Sequence, residues 1–113
     1  MFYRLKFDGI VGGILKRCGY QTSESLNFWP TGTTPEWVKL GKSKGWKPME
    51  AAALGVSHIA LERAETGQMS GAEAQSIAMT AHQVAMEMGA RDEVLERLMV
   101  VAYEAIPNAI EES

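Results

Sequence analysis

Residues 50–67 read EAAALGVSHIALERAETG, and the seven residues AAALGVS at 51–57 decide how the centre of the chain is to be folded. Small residues, a leucine, a glycine, one aliphatic residue and a serine, in that order, describe a sharp exit from one helix into the next. Gly55 permits the positive φ of a helix stop, Val56 plugs the space between the helices, and Ser57 offers its hydroxyl as the N-cap of the second helix. Ala51 has no bulk, so the following helix can cross close above it, with Leu54, Leu61 and Ala64 closing the small core beneath. The same turn also serves any helix-to-helix corner in a helical bundle.

Working outward, Thr34-Pro35-Glu36 is a helix start, with Thr34 as N-cap, Pro35 at the first helical position and an acid near the positive end of the dipole. This helix is short, with Trp37, Val38 and Leu40 as its apolar contacts and the glycines of GKSKG at 41–45 as its end. Pro48 opens a second short helix that Gly55 closes, and Ser57 starts a third that runs to Gly67. Ser70-Gly71-Ala72-Glu73 is a capping box, followed by Ile77, Ala81, Val84, Ala85 and Met88 on one stripe until Gly89. Leu95, Leu98, Met99, Ala102, Tyr103 and Ile106 then recur at helical spacing until Pro107. Two such helices joined by a tight glycine link should pack antiparallel. At the other end, Phe2, Leu5 and Phe7 alternate imperfectly with charged residues, a pattern compatible with a short strand. Residues 10–18 fit a short helix ending at Gly19, and NFWPTGTT at 27–34 reads as an irregular loop.

The central stretch resembles the Cro/cI-like (Xre-type) helix-turn-helix repressors. Ala51, Leu54, Gly55, Val56, Ser57, Leu61, Arg63, Glu65 and Gly67 match that family's pattern without a gap. The likeness covers residues 50–67 strongly and, counting the helix from Pro35, residues 35–67 weakly. It implies that the helix beginning at Ser57 enters the DNA major groove, with Ser57, His58, Ile59 and Glu62 toward bases or phosphates and Arg63 paired with a carboxylate. The segment departs from good base readers in carrying Glu62 and Glu65 with Arg63 as its one long cation.

Composition bounds the rest. The 113 residues, 46% of them hydrophobic, suffice for one compact domain. This domain divides into an N-terminal arm (1–34), the helix-turn-helix (35–67) and a helical pair (70–106), so the fold class is mainly α. The net charge of −3 is unevenly spread: residues 1–48 carry +5 and residues 49–113 carry −8. A basic front with Lys39, Lys42, Lys44 and Lys47 can lean on phosphates while the acidic back serves other contacts. The single Cys18 excludes an internal disulfide and fits a reducing cytoplasm. The charged residues from Arg4 to Arg17 interrupt the apolar ones, so no secretory signal is expected there, and nowhere is there an apolar run of membrane-spanning length.

Other motifs carry no chemistry. Gly41-Lys42-Ser43 has the tail of a phosphate-binding loop, but Glu36 stands where its first glycine belongs. His58 and His82 lie far apart without Cys or acid at ligand spacing, so neither a metal nor a cofactor is implied, and no catalytic constellation emerges. Met79, Met86, Met88 and Met99 are assigned to core packing, with an adaptable partner surface as the alternative. Trp29, Trp37 and Trp46 are read as a small core under the loop, with stacking on a ligand as the alternative. Two functions follow as expectations. One is an Xre/Cro-type transcriptional regulator that binds operator DNA as a homodimer through 70–106. The other is a non-catalytic protein-interaction module (antitoxin, inhibitor or phage accessory protein) whose acidic C-terminal half meets a protein partner.

Overall fold

The computed structural model describes residues 2–21, 28 and 35–112, and these form a mainly helical fold with no strand among them. Its helices are α1 (Phe2–Arg17), α2 (Glu36–Lys44), α3 (Pro48–Glu65), α4 (Gly71–Glu87) and α5 (Asp92–Glu112). Thr34, Trp29 and most of the loop read at 27–34 lie outside the described residues.

The corner at Gly55 is absent. Residues 48–65 form one uninterrupted helix of 18 residues, and the described glycines with positive φ are Gly19, Gly45, Gly67 and Gly89, not Gly55. A glycine inside a helix costs about 1 kcal/mol relative to alanine, and here close packing offsets it. A Cβ on Gly55 would lie 2.9 Å from Cγ and 3.0 Å from Cβ of Trp37. The missing side chain is therefore used to seat α2 on α3 and not to turn the chain. Ser57 is no N-cap either: it is wholly buried, and its hydroxyl donates to the Ala53 carbonyl of its own helix at 2.7 Å. The second close approach of α2 to α3 is at Gly41, where a Cβ would meet the Tyr3 hydroxyl of α1 and stand 2.7 Å from Cβ of Ala51. Gly41 thus lies inside α2, and the stop falls at Gly45, whose φ of +71° closes the helix with hydrogen bonds back to Gly41 and Lys42.

α3 packs against all four other helices. Every residue from Met49 to Ser57 is buried, and a run of three alanines is what lets neighbours approach from several sides. α1 replaces the strand read at Phe2–Phe7. Its Phe7, Val11, Ile14 and Leu15 recur at helical spacing and are all buried, so a 3.6-residue period prevails over a short alternation. The C-terminal hairpin is as read: the Ser70 hydroxyl accepts from the Glu73 N–H at 3.0 Å, Gly89 turns the chain at φ +82°, and α4 and α5 pack extensively on each other. Pro107 does not end α5, which continues to Glu112. Pro107 lacks the N–H that would reach Tyr103, whose side is 64% exposed.

One buried carboxylate ties these parts together. Glu50 is 1% exposed. Its Oε1 accepts the Lys47 N–H at 2.8 Å, and its Oε2 accepts the backbone N–H of Arg91 at 2.9 Å and Nε of Arg91 at 2.8 Å. Arg91 also donates to the Gly45 carbonyl at 3.2 Å. The start of α3, the end of α2 and the link between α4 and α5 thus share one anion.

Candidate functional site

The fold separates the residues expected to read DNA. Ser57 is sealed in the core and cannot reach a base edge. Ile59 is partly buried against the same core. Glu62 is exposed, with its carbonyl engaged by the Thr66 hydroxyl at 3.1 Å. Arg63 lies over the Phe28 ring, 4.3 Å from its centroid, and donates to the Phe28 carbonyl at 3.4 Å. No protruding reading face is assembled from these side chains.

His58 is half-buried and stacks on Trp37, with ring centroids 4.9 Å apart and planes 15° from parallel. Its Nε2 is enclosed without a hydrogen-bond partner among the described residues. Burial, and secondarily the Arg97 guanidinium, hold the imidazole below its ordinary pKa of 6.5 against an opposing pull from Glu104. The ring is thereby kept neutral, as an unsatisfied buried nitrogen requires.

The lysines remain on the surface. Lys39, Lys42, Lys44 and Lys47 are all exposed. Lys42 lies 5.7 Å from the centre of the Tyr3 ring, and the Tyr3 hydroxyl donates to the Lys47 carbonyl at 3.5 Å. Lys47 and Lys6 also line one shallow groove between α1 and the start of α3. Lys42, Lys47 and Lys6 therefore gather near the beginning of α1, while Lys44 turns the other way, 5.5 Å over the ring of Trp46.

Two further features have the character of sites. Between α2 and α5 lies a cleft of about 510 Å³, floored by Leu54 and Val94 and walled by Trp37 and Trp46. The indole of Trp37 also packs on Gly55 and stacks on His58, neither of which lines the cleft. Two of the three tryptophans therefore border an open cleft as well as packing against the core.

The second feature is an apolar face on the C-terminal hairpin. Met79, Met86 and Met99 are 55%, 55% and 37% exposed there, and Met88, 48% exposed, lines the groove against α1 instead, which corrects the assignment of all four to the core. The core side of α4 is taken by Ala74, Ala78, Ala81 and Ala85, residues too small to need methionine beside them. A second side of α4 meets α1, through Tyr20 to Glu73 at 3.1 Å and Arg17 to Glu87 at 3.3 Å. Helical spacing puts Gln75, Met79, His82 and Met86 on the remaining flank. On α5, Val94 and Arg97 point to the cleft, so Leu95, Met99, Tyr103 and Ile106 fall on the flank toward α4. The two stripes lie side by side on antiparallel helices. Residues 74–86 contain no Asp, Glu, Lys or Arg, a gap in charge that a purely solvated helix has no reason to keep.

Comparison with family models, with curated proteins and with solved structures finds no match. Among the described residues, no helix is long and apolar enough to cross a membrane.

Proposed function

We propose that the chain is a non-catalytic protein-interaction module that pairs with a second copy of itself through the outer face of α4 and α5. The observation that carries this reading is the apolar stripe with an uncharged stretch from Ala74 to Met86 on one of its two helices. Exposed apolar patches larger than a few hundred Å² mark interaction surfaces, and methionine adapts to an opposing surface better than branched residues do. A two-fold contact sets each residue against the same patch of the partner, so any fixed charge at its centre repels its own copy. The outer face of α4 meets that condition in a chain whose C-terminal half is strongly acidic.

Light scattering tests it. A particle of twice the 12.4 kDa chain mass is expected, and Met79→Glu with Met86→Glu should return it to a monomer. A monomer at concentrations on the order of 0.1 mM, or a dimer indifferent to both substitutions, overturns the reading. The regulator reading keeps its lysines and loses its reading helix. A random duplex retarded at low ionic strength and released by Lys42→Glu with Lys44→Glu would replace pairing by nucleic-acid binding through α2 as the principal activity.

A further inference from the structure

The cleft between α2 and α5 is not used by that pairing face, and its chemistry is specific. Its walls are the indoles of Trp37 and Trp46, and its rim carries Lys44 from α2 with Glu93, Glu96 and Arg97 from α5. The ion pairs among the described residues are Arg4 with Asp8, Arg17 with Glu87 and Arg91 with Glu50, so the four rim charges are committed to none of them. Two cations and two anions therefore border an apolar, doubly aromatic trough whose net charge is zero. A volume of about 510 Å³ lies within the range of small-molecule sites, where an apolar lining binds and a few polar groups orient.

We infer that this cleft binds a free aromatic α-amino acid as its zwitterion. The ring lies against Trp37, whose indole is already seated by the room that Gly55 leaves and by its stack on His58. The ammonium group goes to Glu93 and Glu96, and the carboxylate to Arg97, with Lys44 able to swing from Trp46 to join it. A monoanion or monocation of the same shape leaves one pair of rim charges unanswered, which is the source of selectivity.

The test is titration of the full chain with L-phenylalanine, read at the indole N–H resonances of Trp37 and Trp46. Saturable shifts at both, with phenylpropionate and phenethylamine each at least about tenfold weaker, are expected. Arg97→Gln should weaken L-phenylalanine about tenfold and spare phenethylamine. Glu93→Gln with Glu96→Gln should weaken both of those ligands and spare phenylpropionate. All three substituted residues lie on the cleft rim, and retained helicity verifies the fold. Absence of a saturable shift at millimolar L-phenylalanine, equal binding of either singly charged analogue, or variants that leave its affinity unchanged would overturn the assignment.

Discussion

The centre of the molecule and the outer face of its C-terminal hairpin are built on opposite plans. Around α3 the residues are small and the contacts close: Gly41, set against Ala51, and Gly55, set against Trp37, allow approaches that a single added methyl would block. On the outside of α4 and α5 the residues are long and flexible, and methionine side chains stand more than a third exposed. The first plan fixes one geometry, and the second leaves a surface able to adapt. Substitutions in the two regions should accordingly fall on different observables, stability for one and association for the other.

The largest effect is expected at Gly55. Gly55→Leu drives a side chain into Trp37 and should cost about 3 kcal/mol or more, measured by denaturant unfolding. Glu50→Ala comes next, at about 2 kcal/mol, because three donors lose one buried acceptor. The pH dependence of this site has a definite sign. Burial alone would raise the Glu50 pKa, but its hydrogen bonds from Arg91 and Lys47 outweigh burial and hold it below the ordinary 4.5. Its stabilisation is therefore complete above about that pH and is lost as the pH falls through the lowered folded value. Acid titration of Glu50→Gln should lack that component.

His58 provides a smaller test of the same region. Its folded pKa lies below 6.5, so the unfolded chain takes up the proton first. Stability is greatest above that pH and declines as the pH drops toward the folded value, by less than about 1 kcal/mol once screening of a half-buried group is allowed for. His58→Phe, which keeps the stack on Trp37, should flatten that slope in thermal melts between neutral and mildly acidic pH. Smallest in stability is Met86→Glu, expected within about 0.5 kcal/mol of the parent chain when both are unfolded at a concentration too low for pairing. Were Met86→Glu to destabilise the chain as Gly55→Leu does, the division between the two regions would fail.

The contrast also explains how much was legible in the sequence. The hairpin was readable because its signals are local: Ser70 and Glu73 lie three residues apart, and Gly89 acts where it stands. The mainly helical class follows from the same kind of pattern. Gly55 misled because its partner is Trp37, eighteen residues away and invisible to local spacing. A glycine that ends a helix and a glycine that receives an indole look alike in a string of letters. The network of Glu50 had no sequence signal either, since Arg91 reaches it across 41 residues. The exposed methionines were misassigned for a related reason: helical periodicity groups them on one flank but cannot say whether a neighbour covers it.

The glycine in the middle of α3 also bears on the order in which the structure forms. A flexible link in the middle divides this helix of 18 residues into two pieces, each shorter than the roughly 12 to 15 residues below which isolated helices are marginal in water. Before α2 docks, residues 48–54 and 56–65 are free to change direction relative to one another at Gly55. Arrival of Trp37 removes that freedom and fuses the halves. A peptide of residues 48–65 alone, without Trp37 seated on Gly55, should therefore fray at its centre and not only at its ends.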